Sequence, residues 1–153
     1  KELLEDTPDL DFVLTPVGGG GLSAGSAISV KCVSPNTKVI LAEPEMANDT
    51  FKSFYSDKII PVANPDTIAD GLKVTVGQFN LAIIRTHVSD VITVSETEIV
   101  EAMRIIWERM KLVIEPSSAV PFAAVLKSKE KFANKKVGII LTGGNVDLGN
   151  LPF

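Results

Sequence analysis

Four consecutive glycines, Gly18 to Gly21, separate the apolar stretch Phe12-Val13-Leu14-Thr15-Pro16-Val17 from the helix-compatible segment Leu22-Ser23-Ala24-Gly25-Ser26-Ala27-Ile28. The order is strand, turn, helix. Lacking Cβ atoms, the turn reaches positive φ and lets the backbone approach a ligand closely. The helix start behind it directs free N–H groups and the positive end of its dipole at the same point. The pattern predicts a phosphate pocket. The alternative is a flexible surface loop, but linker glycines are seldom wedged between a buried strand and a helix.

The flanking sequence extends this unit in both directions. Residues 1–7 read as the tail of a helix, with Pro8-Asp9 turning into a strand at about 11–17. A helix over 22–33 offers Ala24, Ala27, Ile28 and Val30 as a close-packing face and stops before Pro35. The strand Lys38-Val39-Ile40-Leu41-Ala42 follows, with Glu43 at its carboxyl end. Strand, helix, strand at this spacing is a right-handed βαβ unit with parallel strands.

Beyond it, a short helix is expected over Thr50–Tyr55, an edge strand at Ile59-Ile60-Pro61-Val62, a ligand loop at 65–72, and a helix at 78–88 containing His87. Asp90-Val91-Ile92-Thr93-Val94 reads as a third core strand. Ser95-Glu96-Thr97-Glu98 is a capping box opening a helix to about Leu112, with Ile99, Met103, Ile106 and Met110 on its buried stripe. A helix over 118–129, with Pro121 in its first turn, precedes Lys136-Val137-Gly138-Ile139-Ile140-Leu141, which ends at a second glycine turn, Thr142-Gly143-Gly144-Asn145. The fold expected is three-layer α/β, a single domain over 1–153 with an open, mostly parallel sheet and helices on both faces. Its ligand belongs at the carboxyl ends of the strands.

The 153 residues, net charge of -4 and 45% hydrophobic content suit one domain with a sizeable core. No basic block marks a nucleic-acid surface, and no run of about eighteen apolar residues marks a membrane span. Cys32, the one cysteine, is expected to be a buried, reduced thiol in keeping with a cytoplasmic setting. The chain opens with Lys1-Glu2-Leu3-Leu4-Glu5 and has no initiator methionine, so a fragment is expected.

Two ligand classes fit the glycine turn. Gly19, Gly21 and Ala24 match G-x-G-x-x-[GA], and Glu43 stands where a ribose-binding acid would end the next strand, which suits a dinucleotide such as NAD. An ATP-type P-loop fits less well, since no Gly-Lys-[Ser/Thr] closes the motif. Four adjacent glycine amides suit one compact terminal phosphate better than a bridging pyrophosphate, and Thr142 brings a hydroxyl to the same edge.

At these residues the sequence resembles the fold-type II pyridoxal-phosphate enzymes, and within them the serine racemase and serine/threonine dehydratase group. The matching stretches are Pro16-Val17-Gly18-Gly19-Gly20-Gly21-Leu22, Ala42-Glu43-Pro44, Thr67-Ile68-Ala69-Asp70-Gly71, Trp107-Glu108-Arg109-Met110-Lys111-Leu112, Ile114-Glu115-Pro116-Ser117 and Gly143-Gly144-Asn145-Val146-Asp147-Leu148. They recur in order over nearly the whole chain.

The resemblance implies the large domain of a tryptophan synthase β-like fold, of which this chain is the carboxyl-terminal part. Gly18, Gly19, Gly20, Gly21 and the Leu22 amide would hold the cofactor phosphate, Gly71 would lie against the pyridine ring, and Thr142 would hydrogen-bond the ring nitrogen. Threonine departs slightly from the serine usual in racemases. Glu43, the Ala47 carbonyl and Asp49 would bind a divalent cation, a hard oxygen site suited to Mg²⁺, Mn²⁺ or Ca²⁺. Outside the family context Glu43 and Asp49 read as solvated loop charge. Asp70 and Glu115 would be assisting acids near substrate and ring, or plain loop charges. Lys111 matches a position tied to nucleotide (ATP) regulation at a homodimer interface, or is an exposed helix lysine.

Two of the group's catalytic elements are absent: the Schiff-base lysine in a Ser-Phe-Lys-x-Arg-Gly segment and the opposite-face serine of the small domain. The resemblance therefore implies that this segment alone is inactive. The parent would interconvert L- and D-serine and eliminate serine to pyruvate and ammonia. A serine/threonine dehydratase without racemase activity and a stand-alone nucleotide-binding module are the alternatives.

Overall fold

The computed structural model describes residues 1–153. Four parallel strands, β1 (Phe12–Pro16), β2 (Lys38–Pro44), β3 (Val88–Val94) and β4 (Val137–Ile139), lie in the order β3-β2-β1-β4. The helices are α1 (Glu2–Asp6), α2 (Gly21–Val33), α3 (Asp49–Phe54), α4 (Gln78–His87), α5 (Glu96–Ile105), α6 (Pro116–Lys127) and α7 (Lys129–Phe132). Short 3-10 turns cover Glu45–Ala47 and Asp70–Leu72.

Strand alternation builds the three layers. Phe12, Leu14, Ile40 and Ala42 point to one face and join Ile99, Met103 and Ile106 together with Ala119, Val120 and Ala123 of α6. Their neighbours Val13, Val39 and Leu41 point the other way, onto Ala24, Ala27 and Val30 of α2 and Leu81 and Ile84 of α4. Parallel register places Val13 beside Val39 and Leu14 beside Ile40, so both central strands are covered on each side. That is why they read as continuous apolar runs. Truncating Leu14 or Ile40 to alanine would cost about 2–5 kcal/mol through lost transfer energy and a residual cavity.

Most boundaries follow the sequence reading, and the departures have physical causes. The capping box forms: Ser95 Oγ accepts the Glu98 amide at 3.3 Å, and the Ser95 amide donates to Glu98 Oε2 at 2.7 Å. The helix it opens changes to a π turn over Ile106–Met110, ending at Lys111 in the left-handed region with φ 58°. The wider turn breaks the 3.6-residue phase, so Met110 leaves the stripe of Ile99, Met103 and Ile106 and is 58% exposed.

Residues 59–62 form no strand, although Ile59 still packs against the α2–α4 layer. Pro61 has no N–H to offer a ladder. Helix α6 starts at Pro116 with Glu115 as its extended N-cap residue, two residues earlier than expected, which leaves Pro121 in the helix interior. Cys32 is exposed and not buried. It lies two positions beyond buried Val30, about 200° around the helix, so it does not share the buried face of Val30, and the adjacent Val33 is exposed as well. β3 is an edge strand of this sheet.

Candidate functional site

The carboxyl ends of β1 and β4 and the start of α6 enclose a cleft of about 280 Å³ lined by Gly18 to Ser23, Gly71, Leu72, Glu115, Ser117, Thr142 and Pro16. Its floor is the glycine turn. The amides of Gly18, Gly19, Gly20, Gly21, Leu22 and Ser23 have no acceptor in the protein, and the first bond of α2 runs from the Ala24 amide to the Gly20 carbonyl at 2.9 Å. A run of free donors at the positive end of a thirteen-residue helix suits an anion. Ser23 Oγ donates to the Pro16 carbonyl at 3.0 Å and so pins the helix start to the strand end.

The glycines are required for different reasons. Gly20 has φ 85°, and a Cβ there would lie 2.9 Å from Asn80 Cβ and 3.0 Å from Val76 Cγ2. A Cβ on Gly18 would press on the Gly71 carbonyl at 3.2 Å. At Gly21 a Cβ would meet nothing within 4 Å, so the protein's own packing does not demand glycine there. Open space beside a free amide at the mouth of the cleft fits a bound phosphate.

Across the cleft, Ser117 and Ser118 begin α6. The Gly71 amide donates to Ser117 Oγ at 3.2 Å, and a Cβ on Gly71 would crowd that hydroxyl at 3.1 Å. Ser118, fully buried, accepts the Thr142 and Gly143 amides at 2.9 and 2.8 Å and lies 3.0 Å from Thr142 Oγ1. The Asn145 amide donates to Glu115 Oε2 at 2.9 Å, which holds that carboxylate at the cleft wall.

Asp70 does not line the cleft; its Oδ1 accepts the amide of the next residue, Gly71, at 2.9 Å within the 3-10 turn. Lys111 is exposed and also lies outside it. Sequence reasoning assigned no role to Ser118. Its only signal was its place beside Pro116-Ser117, where a hydroxyl commonly serves a helix start.

Glu43 and Asp49 form a second polar centre, at the end of β2. They are 1% and 3% exposed. Glu43 Oε1 and Oε2 accept the Thr50 and Phe51 amides at 2.9 and 2.8 Å, and Asp49 Oδ2 accepts the Val76 amide at 2.7 Å. Burial pushes the Glu43 carboxyl up to about 8 against the pull of those amides, and the Asp49 charge pushes in the same direction. Burial also raises Asp49 above the ordinary carboxylate range. Neither carboxylate has a salt-bridge partner among the ion pairs of the fold.

The Ala47 carbonyl, in a residue only 1% exposed, likewise accepts no hydrogen bond from outside its own turn. No three His, Cys, Asp or Glu side chains converge as a metal cage. Two buried carboxylates without a salt-bridge partner, together with a buried carbonyl, fit a hard divalent cation in donor chemistry. A ribose-binding role for Glu43 does not fit, because the carboxylate is buried against the start of α3 and does not line the cleft.

A glycine turn of free amides on a doubly covered parallel sheet, facing a hydroxyl and a carboxylate across one cleft, fits a cofactor-binding lobe of the α/β class. Residues 1–143 match the model of the pyridoxal-phosphate dependent enzyme family, and the chain belongs to that family. It is 51% identical to a serine racemase of Dictyostelium discoideum, covering 98% of this chain and 48% of that protein. It is 48% identical to a beta-hydroxyaspartate dehydratase of Paracoccus denitrificans, covering 100% of this chain and 49% of the relative. The solved structure of maize serine racemase superposes with a TM-score of 0.92 at 41% identity, over 97% of this chain and 46% of that one. The chain thus spans about half the length of these relatives. The relatives it matches include serine racemases and L-threo-3-hydroxyaspartate ammonia-lyases. No helix is long and apolar enough to cross a membrane.

Proposed function

We propose that the parent protein is a serine racemase that also eliminates water from serine to give pyruvate and ammonia, and that this chain supplies its cofactor cup. The observation that carries the reading is the set of unpaired amides from Gly18 to Ser23 facing Thr142 across one cleft. The amides of Gly18, Gly19, Gly20, Gly21 and Leu22 take the cofactor phosphate. Thr142 meets the ring nitrogen, and Gly71, with no side chain, gives the ring room. Pyridoxal phosphate bound there supplies an electron sink for charge developed at the substrate α-carbon. A neutral hydroxyl at the ring nitrogen keeps that sink milder than a carboxylate would.

Glu115, held at the wall by the Asn145 amide, is the acid best placed to act beside the ring. Asp70 acts more remotely, by holding the Gly71 turn. Glu43, the Ala47 carbonyl and Asp49 hold a divalent cation that neutralises the buried carboxylates and stiffens the loop after β2. A nucleotide effector at exposed Lys111 and a homodimeric parent belong to the same reading. The residues assigned here supply binding and orientation and not the proton transfers.

A second reading, an ammonia-lyase without racemase activity, draws on the dehydratase relative of Paracoccus denitrificans at 48% identity. Incubating the full-length parent with L-serine and resolving the products by chiral chromatography separates the two. D-serine with pyruvate is the expected outcome. Pyruvate without D-serine supports the lyase, and neither product overturns both.

A further inference from the structure

Four atoms surround the Ser118 hydroxyl, and together they dictate what Thr142 can offer to the cleft. Its Oγ lies 2.9 Å from the Thr142 amide nitrogen, 2.8 Å from the Gly143 amide nitrogen, 2.8 Å from the Gly143 carbonyl and 3.0 Å from Thr142 Oγ1. A hydroxyl has two lone pairs and one proton. The two amides can only donate, so they occupy both lone pairs. The Gly143 carbonyl can only accept, so it takes the proton. Thr142 Oγ1 therefore finds no lone pair on Ser118 into which to donate. If the Ser118 proton swings to Thr142 Oγ1 instead, Thr142 becomes an acceptor and again keeps its own proton. No other side chain or carbonyl takes it.

The neighbouring residue strengthens the arrangement. Ser117 Oγ receives the Gly71 amide, so the first turn of α6 anchors both walls of the cleft with successive hydroxyls. Ser118 is fully buried, and no solvent competes for its lone pairs.

We infer that Ser118 is a positioning residue that fixes the Thr142 turn and leaves the Thr142 hydroxyl proton free to be donated to a ring nitrogen seated in the cleft. The inference rests on Thr142 being the ring-nitrogen partner. Without Ser118, the amides of Thr142 and Gly143 lose their acceptor, the turn loosens, and the Thr142 hydroxyl is no longer held in place as a donor to the ring nitrogen.

The test uses the full-length parent as wild type, Ser118→Ala, Ser118→Cys, Thr142→Ala and the Ser118→Ala/Thr142→Ala double variant. Pyridoxal phosphate affinity is measured by fluorescence titration, and the absorption spectrum of the bound cofactor is followed against pH. Ser118→Ala is expected to weaken binding about tenfold and to give the spectrum a pH dependence that wild type lacks. In the Thr142→Ala background the same change should alter affinity less than about twofold, since the effect acts through Thr142.

Equal losses in both backgrounds, or a wild-type pH profile in Ser118→Ala, would overturn the inference and leave Ser118 a purely structural residue. Wild-type affinity and spectrum in Thr142→Ala would instead remove the ring-nitrogen assignment beneath it. If Ser118→Ala fails to fold, Ser118→Cys, which keeps a comparable volume with a weaker acceptor, decides the matter: a pH-dependent spectrum supports the inference and a wild-type profile overturns it.

Discussion

Asn80 Nδ2 donates to the Gly19 carbonyl at 2.7 Å, so α4 holds the glycine turn from outside the cleft. In a trans peptide the carbonyl and the following N–H point in opposite directions. Pulling the Gly19 carbonyl toward α4 therefore turns the Gly20 amide away from α4. The Gly77 amide, 3.1 Å from the same carbonyl, adds a second tether. Replacing Asn80 with alanine should loosen the cup while leaving the rest of α4 in place. We expect phosphate-dependent cofactor affinity in the full-length protein to fall several-fold, with about 0.5–1.5 kcal/mol lost in thermal unfolding. An unchanged affinity would show that the Gly77 tether suffices.

Gly20→Ala and Gly21→Ala should behave differently. At Gly20 the methyl group meets Asn80 and Val76 in a left-handed backbone, so destabilisation of about 1–3 kcal/mol or more is expected, read as a lowered Tm. At Gly21 the methyl group meets no protein atom within 4 Å, so Tm should stay near wild type while cofactor affinity drops at least about tenfold. A stable Gly21→Ala protein that binds normally would remove Gly21 from the cup.

Glu43 makes stability depend on pH in a defined direction. Its folded-state value of about 8 lies above the ordinary 4.5, so between those values the folded state binds the extra proton. In metal-free protein this group's contribution is fully present below about 4.5 and is lost as pH rises through 8. The loss is of the order of a few kcal/mol. Glu43→Gln, neutral throughout, should flatten that slope in unfolding measurements made in chelator. A wild-type slope in Glu43→Gln would assign the pH dependence elsewhere.

A divalent cation should act most strongly where Glu43 would otherwise be forced to ionise unpaired. Added Mg²⁺ or Mn²⁺ is expected to raise Tm more at pH 8 than near 5, because binding needs the carboxylates deprotonated. Asp49→Asn should abolish most of that gain. Equal stabilisation by cations in Asp49→Asn would place the cation elsewhere.

Much of this architecture was legible in the chain because local signals and tertiary demands agree. The Gly18–Gly21 run, the capping box at Ser95 and Glu98, and the apolar runs of β1 and β2 are consistent at every level. Features that depend on three-dimensional partners were not. The π turn before Lys111 shifts Met110 out of an otherwise regular stripe, and nothing in its residues marks the change of phase. Cys32 lies two positions after buried Val30, yet helical rotation turns it outward. Ser118 matters through Thr142 and Gly143, twenty-four and twenty-five residues away, a pairing that only the juxtaposition of α6 with the end of β4 creates. Glu43 looked free to bind a ribose, but the fold buries it against α3 and away from the cleft.

The most direct test of the cofactor cup is calorimetric titration of the full-length parent, stripped of cofactor, with pyridoxal phosphate, pyridoxal and NAD in turn. The amides of Gly18 to Ser23 require tight binding of pyridoxal phosphate, binding of pyridoxal weaker by about a hundredfold or more, and no binding of NAD. Tight NAD binding with no response to pyridoxal phosphate would contradict the account.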